Sequence, residues 1–282
     1  KKICIDVSIY LYRYKSQNTL IESFYLMCSL FKHYNITPIF IFDGKPPESK
    51  KQELQKRKKN REECEKKYED LKNKYGSNID KDQERELNNL KRGMTKITWE
   101  DVETVQSLFN AYGMKYITAQ GEADCLCASL VLKKKVYAVL TEDMDLFAYT
   151  CPIVLRYFSL ANHSCILYDL KKILTKLDID KNNFRILCVL SGNDYYNSKS
   201  NIFYYLKLYN KFKKHKDNIE FIPWLYEKKE LTIDDIQEIT NTINMYKNVS
   251  TELTNYKYVP IRFGIMDRKE LHNILKKDRF VF

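Results

Sequence analysis

Carboxylate side chains follow three short apolar segments of the sequence, each of which predicts a buried β-strand. The segments cover residues 3–7, 37–42 and 136–140. The acids at or just beyond their ends are Asp6, Asp43, Asp143 and Asp145. Asp143 and Asp145 are two positions apart, so in an extended chain their side chains point the same way. The pattern predicts a group of carboxylates at one edge of a sheet, where α/β proteins bind their ligands.

Three further acids extend this group. Glu122 and Asp124 open a predicted helix, and Asp194 follows an apolar helix in Ser191-Gly192-Asn193-Asp194-Tyr195. Carboxylates gathered in one cleft repel each other and require cations. Oxygen ligands without His or Cys select Mg²⁺ or Mn²⁺ over zinc. Two such ions about 4 Å apart activate water and stabilise an in-line phosphoryl displacement. The alternative is that the seven acids are unrelated caps and surface groups.

Basic and aromatic residues lie close in sequence to the acids. Lys45, Lys50 and Arg57 follow Asp43, and on a helix Lys50 and Arg57 share one face. From that face they could stabilise charge on a scissile phosphate, or they could be ordinary surface cations. Tyr12 could offer a ring for base stacking, although the chain has 22 Tyr.

The elements that position these residues alternate between strands and helices. Helical spacing covers residues 19–32, 102–112, 122–132, 170–177 and 184–190, and further strands are predicted at 114–117 and 153–157. This order predicts an α/β fold with a mostly parallel, doubly wound sheet. From residue 200 onward the chain is rich in Tyr, Lys and Asn and predicts further helices.

Residues 48–96 differ from the rest because charged and amide side chains dominate and apolar anchors are few. Gly76-Ser77-Asn78 divides the segment into two predicted helices. Such a segment buries little surface, so it is either a solvated helical hairpin or a segment that orders on a ligand.

The composition excludes several classes of protein. The chain has 282 residues, 44% of them hydrophobic, which excludes global disorder, and it lacks an apolar stretch long enough for a membrane helix. Its net charge of +11 favours a polyanionic partner or a Lys-rich surface. Eight scattered Cys and four His make a zinc site or a disulfide framework unexpected, which fits a reducing, intracellular location. A signal peptide is not expected, because the first apolar segment is short and an acid, Asp6, follows it closely.

Four motifs together resemble the flap endonuclease/XPG family of structure-specific 5′ nucleases. They are Phe42-Asp43-Gly44-Lys45-Pro46-Pro47, Gly121-Glu122-Ala123-Asp124, Thr141-Glu142-Asp143-Met144-Asp145 and Gly192-Asn193-Asp194-Tyr195. The resemblance implies that two Mg²⁺ ions, replaceable by Mn²⁺, are held by Asp6, Asp43, Glu122, Asp124, Asp143, Asp145 and Asp194. It implies that Lys50 and Arg57 act on the scissile phosphate and that Tyr12 stacks on a base.

The resemblance also implies a division of the chain. Residues 1–47 and 97–196 would form a PIN-like nuclease core, residues 48–96 a helical arch for a single-stranded 5′ flap, and residues 197–282 a helical DNA-binding region. Basic residues expected to contact DNA are Lys45, Lys91, Arg92, Lys96 and Lys199.

Three departures from the family pattern change these expectations. The turn after Asp194 contains no glycine between residues 197 and 202, which argues against the family's duplex grip and its K⁺ site. Asp124 stands where the family usually has Glu, and its shorter arm favours a water-mediated contact. The short loop at residues 15–18 predicts a reduced wedge at the duplex junction.

These features predict a metal-dependent endonuclease that cuts flapped DNA in replication or repair and leaves a 5′-phosphate. The alternatives are a 5′→3′ exonuclease, a junction nuclease, an RNA-directed nuclease or a catalytically silent scaffold for branched DNA. The expected partner is branched or flapped DNA, and a sliding clamp would bind through a segment outside this sequence. We expect a monomer without membrane association, located in a nucleus or a viral replication compartment.

Overall fold

The computed structural model describes residues 1–75, 79–215, 219–249, 261–278 and 280. The chain forms two compact units. The first comprises Lys1–Ala123, Ser159–Ser164 and Pro260–Phe282, and the second comprises Asp124–Phe158 and Cys165–Val259. Gly76-Ser77-Asn78, the predicted break between two helices, lies outside the described residues. The division of the chain into residues 1–47 with 97–196, 48–96 and 197–282 stays a prediction.

The first unit contains three parallel strands, as the apolar segments predicted. They are β1 (Lys2–Asp6), β2 (Thr37–Phe42) and β3 (Lys115–Thr118), in the order β3-β2-β1. Asp6 is in register with Ile41, so Asp6 and Asp43 lie at the same end of neighbouring strands. The shared direction of the strands therefore brings these two acids to one edge.

Three helices of the first unit pack on this sheet, and a fourth helix, near the C-terminus, packs on one of them. They are α1 (Val7–Ser16), α2 (Leu20–His33), α5 (Trp99–Tyr112) and, near the C-terminus, α13 (Arg268–Lys277). The ring of Phe109 on α5 stacks on Phe40 of β2 at 3.9 Å and meets Phe24 of α2 edge-on at 5.5 Å. Helix α5 begins three residues before the predicted start because Thr98 and Asp101 form a capping box.

Residues 48–96 form a hairpin of exposed helices. A 3₁₀ turn at Glu48–Lys50 leads into α3 (Lys51–Tyr75), and α4 (Lys81–Gly93) follows. Helix α3 has no buried residue, and α4 buries only Leu87. The helices meet where Gly93 lies against the Cys64 side chain, and the Tyr75 hydroxyl donates to Glu86 Oε2 at 2.7 Å. The low core content expected from the sequence is confirmed.

The second unit contains strands β4 (Ala138–Leu140), β5 (Ile153–Ser159) and β6 (Ser164–Asp169), in the order β4-β5-β6. Strands β4 and β5 are parallel. Strand β6 was missed although it contains the apolar run Cys165-Ile166-Leu167-Tyr168, and in the structure four of its six residues are exposed.

Seven helices complete this unit, and the predicted helices at residues 122–132, 170–177 and 184–190 are confirmed within a few residues. They are α6 (Ala123–Leu132), α7 (Asp145–Ala148), α8 (Leu170–Leu177), α9 (Lys181–Leu190), α10 (Ile202–Phe212), α11 (Phe221–Glu227) and α12 (Ile233–Lys247). Among the described residues, every helix is too short or too polar to cross a membrane.

Candidate active site

Asp6 and Asp43 occupy different environments at the end of the β1–β2 pair. Asp6 is buried, and its Oδ1 accepts a hydrogen bond from Ser8 N–H at 3.2 Å at the start of α1. Asp43 is exposed, with Oδ2 accepting from the Ser8 hydroxyl and Oδ1 accepting from Ala123 N–H at 2.8 Å. The Asp43 carboxylate thus joins the end of β2 to the residue that follows Glu122.

Gly44 lets two acid-bearing segments approach each other through their main chains. Gly44 N–H donates to Gly121 O at 2.8 Å, and Lys45 N–H donates to Gln120 O at 3.1 Å. A Cβ atom at position 44 would lie 1.9 Å from Ala119 O and 2.7 Å from Gln120 O. Glycine is therefore required here by close approach of the backbone.

Replacing Gly44 with alanine is expected to destabilise the protein by about 1–3 kcal/mol, because the added methyl group must push the two main chains apart. Urea denaturation followed by circular dichroism would measure the change. Lys45→Ala, which removes an exposed side chain at the next position, is the control and should leave the midpoint unchanged. A Gly44→Ala variant with the wild-type midpoint would contradict the close approach.

The two predicted phosphate-binding cations are placed differently. Lys50 Nζ forms an ion pair with Glu122 Oε1, and both side chains are largely buried, at 14% and 13% exposure. Arg57 lies on α3 with a side chain that is 53% exposed, and its Nε is 3.1 Å from Glu53 Oε1. The structure therefore brings Lys50 into contact with Glu122, one of the predicted metal ligands.

In the second unit, Asp143 and Asp145 lie in a turn that begins a helix. Asp143 N–H donates to Thr141 Oγ1 at 3.0 Å, and Asp145 N–H donates to Asp143 Oδ1 at 2.8 Å. Met144 between them has right-handed helical dihedral angles. The interpretation of this pair as an extended chain is wrong, because the Asp143 carboxylate satisfies a free amide at the start of α7.

Tyr246 on α12 connects three of the predicted ligands. Its hydroxyl donates to Asp145 Oδ2 at 2.6 Å. Burial raises the pKa of Tyr246 far above its usual value, and the charges of Asp145, Asp124 and Asp143 raise it further. These carboxylates therefore share one neighbourhood around a buried hydroxyl. No local pattern in the sequence marks Tyr246, which lies 101 residues from Asp145.

Removing the Tyr246 hydroxyl is expected to lower the free energy of unfolding by about 1.5–3 kcal/mol in metal-free buffer, because a hydrogen bond to a charged group is lost. Tyr246→Phe keeps the edge-on contact with Tyr149, whose ring lies 4.8 Å away. Urea denaturation would measure the loss, with Tyr226→Phe as the exposed control. Equal stability of the two variants would contradict a role for this hydroxyl in holding Asp145.

Asp194 is half-buried and precedes the turn that lacks glycine. The ring of the next residue, Tyr195, lies 6.3 Å from the ring of Tyr246. Tyr246 is the residue of α12 whose hydroxyl contacts Asp145. The turn is closed by Ser198, whose hydroxyl donates to Leu190 O and accepts from Ser200 N–H at 3.1 Å. This arrangement holds the turn without a glycine between residues 197 and 202, and the loss of the K⁺ site stays a prediction.

The side chains predicted to contact DNA are accessible. The exposed group consists of Tyr12, Lys45, Lys91, Arg92, Lys96 and Lys199. Tyr12 on α1 is 49% exposed, and its role in base stacking stays a prediction. Lys199 Nζ is 2.6 Å from Asp235 Oδ2, and this hydrogen bond raises the pKa of Lys199. A phosphate would therefore compete with Asp235 for Lys199.

The predicted ligands have the donor chemistry of a hard divalent cation, since all seven side chains are carboxylates. Over residues 1–75, 79–215, 219–249, 261–278 and 280, no group of three or more His, Cys, Asp or Glu side chains is already arranged to hold a metal ion. Protein donors contact oxygens of Asp43, Glu122 and Asp145 instead. The residues fit such an ion chemically, and their roles as ligands stay a prediction.

Two family profiles match the chain. The XPG N-terminal domain matches residues 1–64, and the XPG I-region matches residues 113–194. All seven predicted ligands lie within these two ranges. The segment between the ranges includes all of α4 and α5.

Among curated proteins, flap endonuclease 1 of Encephalitozoon cuniculi is 32% identical over 212 residues, which cover 69% of this chain and 59% of that protein. Flap endonuclease 1 of Aedes aegypti is 30% identical over 298 aligned positions, which cover 99% of this chain and 75% of that protein. The chain thus spans less than two thirds of the length of the first of these relatives.

Solved structures of similar fold come from the same group of nucleases. The catalytic core of Rad2 in complex with DNA substrate superposes with a TM-score of 0.69 at 22% identity and covers 99% of this chain and 88% of that one. The junction-resolving enzyme GEN1, with product DNA and Mg²⁺, gives 0.57 at 16% identity and covers 98% and 64%. The expected α/β nuclease fold is confirmed, and with the profile matches and the Aedes relative it shows that the chain belongs to the flap endonuclease/XPG family.

Proposed function

We propose that this protein is a structure-specific 5′ flap endonuclease that hydrolyses DNA phosphodiester bonds near single-strand/double-strand junctions. The observation that carries the proposal is the retention of all seven acids of the family pattern within a chain that belongs to the family. Family members named flap endonuclease support the choice of a flapped DNA substrate.

The proposed metal ligands form two sets, one in each compact unit. Asp6, Asp43 and Glu122 belong to the first, and Asp124, Asp143, Asp145 and Asp194 belong to the second. Two Mg²⁺ ions, or Mn²⁺ in their place, would activate a water molecule and neutralise charge on the phosphate. The presence of Mg²⁺ in the GEN1 complex supports the choice of ion. The shorter arm of Asp124 favours a contact through water.

The chain's own residues would orient and stabilise the reacting phosphate. When Glu122 binds a metal ion in place of the Lys50 ammonium group, Lys50 would be released from this ion pair. Lys50 would then donate hydrogen bonds to a phosphate oxygen as negative charge develops on that oxygen. Arg57 on the exposed surface of α3 would reach the same phosphate when DNA contacts this helix. In the reaction an oxygen of water bonds to phosphorus, the bond to the 3′-oxygen breaks, and that oxygen takes up a proton. The products are a 5′-phosphate and a 3′-hydroxyl.

The exposed side chains would hold the DNA outside the reacting centre. Tyr12 would stack on an unpaired base, while Lys45, Lys91, Arg92 and Lys96 would contact the backbone of the flap. The hairpin of α3 and α4 suits the passage of a single strand because it is exposed and rich in basic side chains. Lys199 would contact the duplex side.

The alternatives predict different cleavage patterns. A 5′→3′ exonuclease would release mononucleotides from a nick, a junction nuclease would prefer a four-way junction, and a silent scaffold would bind without cutting. Clamp binding, a monomeric state and a nuclear or viral replication compartment belong to the proposal as further expectations.

A cleavage assay would test the proposed function. The purified chain is incubated with a 5′-end-labelled flap duplex in Mg²⁺, in Mn²⁺ and in EDTA, beside nicked, gapped and four-way DNA and a matched RNA flap. The expected result is one cut near the flap junction that requires a divalent ion. Tight binding to the flap without any cleavage in either metal would overturn the nuclease and support the scaffold.

A further inference from the structure

We propose that Arg156, acting with Glu142, is a positioning residue that fixes the loop carrying Asp143 and Asp145. The inference rests on the proposed function, since it concerns two of the proposed metal ligands. All the residues involved lie in the second compact unit, at the point where the paired strands β4 and β5 separate. Thr141 N–H still donates to Leu155 O at 3.1 Å, and the acid loop begins directly after this bond.

The guanidinium group of Arg156 contacts the loop on both sides of Asp143. Its Nη2 donates to the main-chain oxygen of Glu142 at 2.9 Å, and its Nη1 donates to the thioether of Met144. Its Nε lies 3.7 Å from Glu142 Oε2, a distance that indicates charge attraction rather than a hydrogen bond. One planar group therefore holds the residues before and after Asp143.

The Glu142 side chain also contacts β5, the strand that carries Arg156. Its Oε1 accepts a hydrogen bond from Tyr157 N–H at 2.8 Å. Tyr157 has a φ angle of +56°, in the left-handed region that residues other than glycine seldom adopt. Arg156 therefore contacts Glu142, and Glu142 in turn contacts Tyr157, the residue that follows Arg156 on β5. Backbone strain of this kind is concentrated at functional sites in proteins.

The environment of the pair strengthens these contacts. The side chains of Arg156 and Glu142 are only 12% and 14% exposed, so water competes weakly for their charges. Lysine could supply the positive charge. It lacks the planar guanidinium group, whose separate N–H donors reach two different acceptor atoms at once. The arrangement therefore depends on arginine rather than on any cation.

The consequence is a defined position for the two acids before any ion binds. Asp143 is held between two fixed neighbours, and its own carboxylate orients the amide of Asp145. Removing a group that orients a metal ligand without binding the metal itself typically lowers metal affinity or activity by about 10–100-fold. Loss of Arg156 should therefore weaken ion binding without removing any ligand.

The test compares Arg156→Met, which keeps the aliphatic stem, with Arg156→Lys, which keeps the charge, and with Glu142→Gln. Arg268→Met, at an exposed arginine on α13, is the matched control. Amide hydrogen exchange of residues 142–146 is measured in metal-free buffer by mass spectrometry. The affinity for Mn²⁺ alone is measured from its free electron paramagnetic resonance signal, and circular dichroism reports folding.

Arg156→Met is expected to exchange these amides about 10–100-fold faster, because local opening no longer breaks the hydrogen bond from the charged guanidinium group. It is expected to bind Mn²⁺ more weakly by about 10–100-fold. The exchange rates and the Mn²⁺ affinity of Arg156→Lys should lie between those of Arg156→Met and of the wild type. If Arg156→Met does not fold, the comparison of Arg156→Lys with the wild type is the test. Wild-type exchange in a folded variant would overturn the proposal. If the wild-type protein cuts no DNA with any metal, the proposed function fails, while the exchange rates still decide the role of Arg156.

Discussion

Replacing Asp143 with alanine is expected to slow flap cleavage by at least about 10³-fold while leaving most DNA binding intact. Asp143 is a proposed metal ligand, and removing charge that holds a catalytic ion forfeits several kcal/mol of transition-state stabilisation. Its carboxylate also accepts the Asp145 amide at 2.8 Å, so its removal disturbs a second ligand. Binding depends on surface cations, which the substitution does not touch. Single-turnover cleavage and fluorescence anisotropy of the flap duplex would measure the two effects.

Two further variants separate charge from structure. Asp143→Asn retains an oxygen that can accept the Asp145 amide but lacks the negative charge, so it should lose as much activity as Asp143→Ala. Asp234→Asn removes an exposed acid from the first turn of α12 in the same unit and should cleave at the wild-type rate. Turnover of Asp143→Ala within tenfold of wild type would refute the assignment of this acid to the metal site.

Replacing Lys50 with methionine is expected to slow the chemical step by about 10²–10³-fold, the usual effect of losing one preorganised donor to a developing charge. Methionine keeps an unbranched stem of similar length, so the packing of the largely buried side chain changes little. The single-turnover rate at saturating enzyme would measure the effect, because it separates chemistry from binding and product release.

The control for Lys50 is Lys72→Met, on the distal half of α3, where the ammonium group lies 6.0 Å from the Tyr68 ring. It removes the same charge from the same hairpin and should leave the single-turnover rate within about twofold. If both variants lose activity equally, the effect of Lys50 is a general one on the charge of the hairpin. The ion pair with Glu122 would then have no special part in the reaction.

The strands that carry Asp6 and Asp43 could be predicted because they are fully apolar and end in an acid. Burial on both faces of a parallel sheet gives a continuous hydrophobic run, and the run marks the strand directly. The acids at the strand ends then follow from the shared direction of neighbouring strands. For α3 the long charged segment without apolar anchors predicted low burial, and it left open whether the segment is a solvated helix or orders on a ligand.

Contacts between distant residues could not be predicted in this way. Tyr246 and Arg156 look like two among many Tyr and basic residues, and only the fold places them against the acids. The turn at Met144 was also missed, because the alternation of acids in Glu142-Asp143-Met144-Asp145 suits a strand as well as a helix start. The choice is made by the Asp143 carboxylate, which bonds to the amide of Asp145.

Helix α3 contributes nothing to the hydrophobic core, and this has a consequence for how such proteins diverge. Substitutions at the exposed positions of α3 cost little free energy of folding, because α3 buries no side chain in the core. Under the proposed function, substitutions in this helix would act mainly through its contact with DNA and little through stability. If the proposed function holds, changes confined to one exposed helix would alter the preference for the shape of a DNA end while the α/β core stays the same.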